Sequence, residues 1–171
     1  TMGTTEMPTE VASKEFIEGR IRYLGVLSEG MAGMTHEQEL EVARRLSDIQ
    51  LPSDPFGAAV AWRKALNDAV VDYYKEIGSP AGDLNAIDAA GMANSVNFCF
   101  PHYFLLPMFG SASCYRIRLL GQEECLFELW SLTHMAPGEE LPVPMEPTML
   151  PYDSQDFPEI PRQDYSNIPI Q

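Results

Sequence analysis

Basic residues and long apolar runs are scarce in this sequence. Its 171 residues include 11 lysines and arginines against 25 aspartates and glutamates, a formal net charge of −14. A negative field of this size repels phosphate backbones and anionic lipid surfaces, which disfavours nucleic acid and membranes as partners. No apolar run approaches the roughly 18–20 residues of a membrane span, and residues 1–10 lack the features of a signal peptide. We therefore expect a soluble, cytoplasmic protein.

Cysteine and histidine are also few, with three of each. Cys99, Cys114 and Cys125 are odd in number and widely spaced, a pattern that argues against a disulfide framework and predicts buried small hydrophobic residues. No cysteine or histidine falls into C-x-x-C, C-x-H or H-x-x-x-H spacing, the local patterns that build metal sites. Local motifs therefore assemble no complete metal site.

Helical signals dominate the first half of the chain, although the first 34 residues allow no firm prediction. Thr35 and Gln38 form a capping box, which predicts a helix over residues 35–50. Asp54 is a typical N-cap for a longer helix over residues 54–77. Apolar side chains with a period of 3.6 mark the core-facing stripe of this second helix: Ala59, Trp62, Leu66, Ala69, Val70, Tyr73 and Ile77.

The second half changes to strand-like alternation. The alternation begins near Asn94, and after Pro101 the apolar run Tyr103–Leu106 continues the sheet. Apolar and cationic residues then alternate over Tyr115–Leu119, and a four-residue loop leads into the aromatic strand Cys125–Thr133. The pattern predicts an α+β domain with an antiparallel meander of three or four strands between residues 93 and 136.

Proline is concentrated at the end of the chain, where 8 of the 14 prolines fall in residues 137–171. Proline at this density rules out regular structure for most of the segment. Apolar residues such as Phe157 and Ile160 provide anchors, so we expect residues 137–171 to wrap in an ordered way over the surface of one domain.

The order of parts in residues 97–140 resembles that in the catalytic domain of the large subunit of Rieske non-haem iron aromatic ring-hydroxylating oxygenases. The parts follow one another in a fixed order: an aromatic strand with Phe-Pro, a Leu-Leu-Pro segment, a Tyr-Arg-x-Arg strand, and a Phe-Glu-Leu-Trp-Ser-Leu strand that leads into Pro-Gly-Glu-Glu. Residues 161–169, PRQDYSNIP, are similar to the start of that family's last helix. The resemblance implies a helix-grip fold, an antiparallel sheet around a long amphipathic helix, of which this chain is a part.

The resemblance also implies a mononuclear Fe(II) held by two histidines and a carboxylate, and a [2Fe–2S] cluster in an N-terminal domain. The chain lacks the C-x-H motif and the paired histidines, so we expect a C-terminal piece that is inactive alone. Position and context make Asp164 the carboxylate ligand, and a helix N-cap or a solvated turn residue is the equally weighted alternative.

Further expectations follow from the same resemblance. The activity would be hydroxylation or dihydroxylation of an aromatic or apolar substrate in aromatic compound catabolism. Dioxygen would be the co-substrate, and a ferredoxin or reductase would supply electrons. A homo-oligomer or a small-subunit partner is also expected.

Four residues are candidates for substrate binding. Phe100, His102 and Phe104 share one face if the strand is not bulged at Pro101, and Ile160 precedes the expected ligand. Packing alone would also explain Ile160, and a core histidine bonded to a backbone carbonyl is the favoured alternative for His102.

A second group of residues has a surface interpretation. Arg116 and Arg118 are expected on an exposed strand face, where they can pair with Glu128 across the hairpin. A subunit interface and a ferredoxin docking patch are alternatives for these two arginines.

Two other function classes remain open. The same scaffold also serves as a metal-free module that binds a hydrophobic small molecule. An acidic regulatory or assembly subunit that acts only through interfaces is the third possibility.

Overall fold

The computed structural model describes residues 12–31, 33–79, 81–92, 96–140 and 146–167. Within these ranges four helices precede a four-stranded sheet, and a fifth helix follows it. The helices are α1 (Ser13–Gly30), α2 (Glu37–Arg44), α3 (Pro55–Glu76), α4 (Leu84–Ala89) and α5 (Glu159–Asn167). The strands are β1 (Asn97–Cys99), β2 (Tyr103–Pro107), β3 (Ser111–Leu119) and β4 (Cys125–Thr133).

The predicted α+β class and antiparallel meander are confirmed. The strands lie in the order β1-β2-β3-β4, and each is antiparallel to the next. In the described part of the chain, no helix is both long enough and apolar enough to cross a membrane.

The hydrophobic core lies among α1, α2 and α3. Its buried side chains include Ile17, Leu24, Leu40, Trp62, Leu66 and Val70. The predicted stripe of α3 is correct in its centre and wrong at its end, because Tyr74 is buried while Ile77 is 51% exposed. Ile77 is the residue after the last helical position, so it no longer follows the helical periodicity.

The beginning of α2 differs from the prediction. His36, and not Thr35, occupies the N-cap position, and its backbone N–H donates to the Glu39 carboxylate at 3.1 Å. The predicted capping box is therefore one residue out of register. The helix is also shorter than residues 35–50, because the chain leaves it for turns after Arg44.

The N-terminal cap of α3 is as predicted, because Asp54 accepts a hydrogen bond from the Gly57 backbone N–H at 2.6 Å. Helices α1 and α4 were not predicted. The buried residues Ile17, Leu24 and Leu27 do recur at helical steps, but Ala12 at the N-cap makes no side-chain capping bond, so the segment lacks a clear start signal. Helix α4 has only six residues.

The condition for Phe100, His102 and Phe104 to share one strand face, an unbroken strand at Pro101, is not met. Strand β1 ends at Cys99, residues 100–102 form a turn, and β2 returns antiparallel so that Phe98 lies opposite Phe104. Proline has no N–H for a strand ladder, which makes it a common point for a strand to end.

The sheet has two distinct faces. Alternation along paired strands places Phe98, Phe104, Tyr115 and Phe127 on one face, here called the inner face. The opposite face, here called the outer face, carries the charged residues of β3 and β4. Arg116 and Arg118 both pair with Glu128 there, and Nη2 of Arg118 lies 2.6 Å from Oε1 of Glu128. The predicted cross-strand pairing is therefore confirmed.

The prediction that all three cysteines are buried is wrong for two of them. Cys114 is fully buried in the centre of β3, whereas Cys99 and Cys125 are exposed. These two residues are the last of β1 and the first of β4, and strand ends have fewer neighbours to cover them.

Candidate functional site

Helix α5 lies against the end of α1 through a close approach at Gly30. A Cβ built on Gly30 would lie 2.9 Å from Cδ1 of Ile160, so the absence of a side chain on α1 makes room for the isoleucine. Ile160 and Asp164 are four residues apart in α5 and share one face of the helix. The packing of Ile160 therefore sets the position from which Asp164 projects.

Asp164 is exposed and lies close enough to Tyr115 of β3 to act on its ionisation. Burial and the negative charge of Asp164 together raise the pKa of Tyr115 to about 12. The Tyr115 hydroxyl points to the end of α1, where it lies 3.5 Å from the sulfur of Met31. Helix α5 and the hydroxyl of Tyr115 thus both lie at the end of α1, the former at Gly30 and the latter at Met31.

Both alternatives that the sequence left for Asp164 are wrong. Helix α5 begins at Glu159, so Asp164 is neither a helix N-cap nor a turn residue. Its carboxylate is available to solvent in the middle of the helix. The expected helix start near residue 161 is correct to within two residues, which is the usual uncertainty of helix boundaries.

Aromatic rings line the inner face of the sheet. The ring centroids of Tyr115 and Phe127 are 5.3 Å apart, and Phe157 extends the row at 6.0 Å from Phe127. Phe157 belongs to the proline-rich segment, so this segment contributes a ring to the same wall. The ring planes are tilted by 49° and 58° to one another, so the rings form an uneven apolar surface that an aromatic or apolar ligand can contact.

The structure does not bring the predicted substrate residues together on one strand. Phe100 is 88% exposed and His102 is exposed, and both lie in the turn between β1 and β2. Phe104 is half-buried on the inner face, with its ring 4.9 Å from that of Phe98. Of the four candidates, Ile160 is the one that shares a helix face with Asp164.

The donor set for iron is incomplete in the described residues. Nowhere in them do three His, Cys, Asp or Glu side chains form a group that could hold a metal ion. His36 approaches Thr133 at 3.4 Å, and His134 packs edge-to-face on Tyr74 at 5.9 Å. Asp164 fits the role of one anionic oxygen ligand, and these residues do not hold Fe(II) by themselves.

A buried carboxylate joins the helices to the sheet. Glu39 is fully buried and accepts hydrogen bonds from the Tyr74 hydroxyl at 2.8 Å and the Ser111 hydroxyl at 3.0 Å. The backbone N–H of Gly110 also donates to it, at 2.7 Å. Burial and the charge of Glu39 raise the pKa of Tyr74, so the phenol stays protonated and keeps donating. Glu39 was missed because an acidic residue in a first helical turn normally indicates a solvated position.

A cleft of about 880 Å³ opens between α1, α3, α4 and the end of β2. Its apolar wall includes Leu24, Leu27, Trp62, Leu66, Leu106 and Phe109. Cationic side chains also line it, among them Arg20 and Arg63. The cleft was not predicted, because it exists only where four separate segments meet.

Comparisons of the chain with protein-family models, with curated proteins and with solved structures find no match. Function is therefore inferred from the residues, the resemblance in their order and the geometry described above. Two features enter that inference: the Asp164 carboxylate on α5, and the apolar cleft.

Proposed function

We propose that this chain is part of the catalytic domain of a Rieske-type ring-hydroxylating oxygenase, in which Asp164 is the carboxylate ligand of a mononuclear non-haem Fe(II). One observation carries the proposal: the helix that follows the meander carries Asp164 and packs at the end of α1, where the hydroxyl of Tyr115 also lies. The helix-grip arrangement is part of the same proposal. Its support is that Tyr74 of α3 and Gly110, just before β3, both donate hydrogen bonds to the Glu39 carboxylate of α2.

The described residues have separate roles in this proposal. Asp164 supplies an anionic oxygen, which keeps the net charge of an Fe(II) site low. Tyr115 and Phe127 form an apolar surface that an aromatic or apolar substrate can contact. Ile160 fixes the position of α5 through its contact with Gly30. The iron, once bound, supplies the site for dioxygen activation.

Other components of the reaction belong outside this chain. Two histidine ligands and the [2Fe–2S] cluster would come from other residues of the intact protein, and a ferredoxin or reductase would deliver electrons. The product would be a hydroxylated or dihydroxylated aromatic or apolar compound.

The test is the variant Asp164→Ala in the intact protein, with Asp156→Ala as the matched control. Asp156 is an exposed carboxylate ahead of α5, so its loss changes the charge equally. We expect Asp164→Ala to lose mononuclear iron and product formation while the optical spectrum of the Rieske cluster is retained. Asp156→Ala should keep the mononuclear iron, product formation and the optical spectrum of the Rieske cluster. Normal iron content together with normal turnover in Asp164→Ala would overturn the assignment.

A second candidate function is a metal-free module that binds a hydrophobic small molecule. The apolar cleft of about 880 Å³ favours it, because small-molecule sites typically measure roughly 300–1,000 Å³. The neutral fluorescent probe N-phenyl-1-naphthylamine tests this function. Saturable binding that is unchanged by Asp164→Ala and by iron chelation supports the module, and absence of saturable binding excludes it.

A further inference from the structure

We propose that the cleft between α1, α3, α4 and the end of β2 binds a small apolar molecule that carries one anionic group, and that Arg20 receives that group. This proposal deepens the second candidate function by naming the class of ligand. It is independent of Asp164, because neither Asp164 nor its neighbours Tyr115 and Ile160 line the cleft.

The interior of the cleft suits an apolar body. Trp62 and Leu66 of α3 line it, together with Leu24 and Leu27 of α1 and with Phe109, which follows β2. Removing apolar surface from water against such side chains is favourable. The driving force for binding would therefore come from this part of the ligand.

Positive charge is concentrated around the cleft. Arg20, Arg63 and Lys64 line it together with a single carboxylate, Asp88. With Asp88 and Asp68, the partners of Arg63 and Lys64, counted, the three cations leave one net positive charge at the rim, in a chain whose net charge is −14. Such a rim attracts an anion to a protein surface that otherwise repels it.

Two of the three cations are already paired. Arg63 makes a two-pronged contact with Asp88, at 2.6 Å from Nε and 2.8 Å from Nη2. Lys64 pairs with Asp68 at 2.6 Å. Arg20 forms no ion pair with any residue in the described ranges, and its guanidinium lies 5.3 Å from the ring centroid of Phe16. Arg20 is therefore the cation left to receive a ligand anion.

A polar network holds the rim in place between α3 and α4. The buried amide of Asn67 donates to Asp88 at 2.6 Å and to Asn85 at 3.1 Å. Asn85 in turn donates to Asp68 at 2.6 Å. These bonds fix α4 against α3, so that side of the cleft is formed before a ligand arrives, which lowers the ordering cost of binding.

The test compares two fluorescent naphthalene probes on the full chain. One is 8-anilino-1-naphthalenesulfonate, which carries a sulfonate, and the other is the neutral N-phenyl-1-naphthylamine. We expect the anionic probe to bind more tightly. Arg20→Gln should raise the Kd of the anionic probe by about tenfold. A tenfold change in Kd corresponds to about 1.4 kcal/mol, and a hydrogen bond to a charged group contributes at least that much. The same variant should leave the neutral probe unchanged.

Arg45→Gln is the matched control, because Arg45 is an exposed cation outside the cleft. An equal effect of Arg45→Gln and Arg20→Gln on the anionic probe would show general surface attraction and overturn the proposal. Ala59→Phe provides a second check, since Ala59 lines the cleft and a larger side chain fills it. If circular dichroism shows that this variant folds, both probes should be lost. If it does not fold, the Arg20→Gln comparison decides.

The outcomes separate this proposal from the functions on which it builds. If the two probes bind with equal affinity and Arg20→Gln changes neither affinity, the cleft is a hydrophobic site without a preference for anions, and this proposal is rejected. Failure of both probes would reject the cleft as a ligand site. Neither result changes the iron content of Asp164→Ala, which tests the oxygenase proposal alone.

Discussion

The carboxylate of Glu39 on α2 accepts a 2.8 Å hydrogen bond from the hydroxyl of Tyr74, at the opposite end of α3 from its N-cap. The same carboxylate accepts from Gly110 and Ser111, which belong to the turn before β3 and to its first residue. One side chain thus joins two helices to the sheet. A buried carboxylate is tolerated here because its oxygens are bonded to several donors.

Replacing Glu39 should destabilise the fold strongly. Glu39→Ala leaves buried donors without an acceptor, and each such group costs about 1–3 kcal/mol. Glu39→Gln keeps an oxygen acceptor and should cost less. Glu41→Ala is the control, since Glu41 is exposed on the same helix and its change should cost less than about 1 kcal/mol. Urea denaturation measures the three free energies of unfolding, and equal losses for Glu39 and Glu41 would contradict the role of Glu39.

Gly110 should not tolerate a side chain. A Cβ at this position would overlap the ring of Tyr74, which is itself held by Glu39 and cannot easily move. Gly110→Ala should therefore cost about 1–3 kcal/mol, as overpacking in a core does. Gly121→Ala has open space around it and should be nearly neutral. Thermal unfolding of both variants checks the prediction, which fails if their midpoints agree.

Acid should weaken the outer face of the sheet. The hydrogen bond from Arg116, with the charges of Arg116 and Arg118, holds the pKa of Glu128 below its usual range. A carboxyl with a lowered folded-state pKa stabilises the protein above its unfolded-state pKa of about 4.3. That contribution is lost as the pH falls through the folded-state value.

The variant Glu128→Gln isolates this contribution. At pH 7 it should be less stable than the parent, and the difference between the two free energies of unfolding should shrink as the pH falls below about 4.3. Added salt should shrink it as well, because Arg118 is largely exposed. A difference that is constant from pH 7 to pH 3 would exclude the ion pair as its source.

Thiol reactivity should divide the three cysteines into two groups. Cys99 and Cys125 are exposed, so Ellman's reagent should modify two thiols per native chain rapidly. Burial raises the pKa of the Cys114 thiol, which lowers both its thiolate fraction and its access to the reagent. The third thiol should react only on unfolding, and Cys114→Ser should abolish that slow phase. Three fast thiols in the native protein would contradict the burial of Cys114.

Local signals predicted the elements that repeat a strong pattern. The N-cap at Asp54 and the centre of the α3 stripe at Trp62 and Leu66 follow from helical periodicity, and the meander from alternation over β3 and β4. The pairing of Arg118 with Glu128 follows from the same alternation. These features depend on residues that are close in the sequence, so local sequence patterns are enough to predict them.

The turn at residues 100–102, the burial of Glu39 and the cleft were not predictable in this way. Whether a strand crosses Pro101 or turns there depends on which segment pairs with it, and here Phe98 meets Phe104 across a hairpin. Glu39 is buried because Tyr74 and Gly110, 35 and 71 residues away, arrive with matching donors. The sequence by itself thus determined the type and order of the elements that carry a strong local pattern, and it did not determine α1 or α4. Only the tertiary structure decided which polar groups are enclosed and where an open space remains, because enclosure depends on contacts between distant segments.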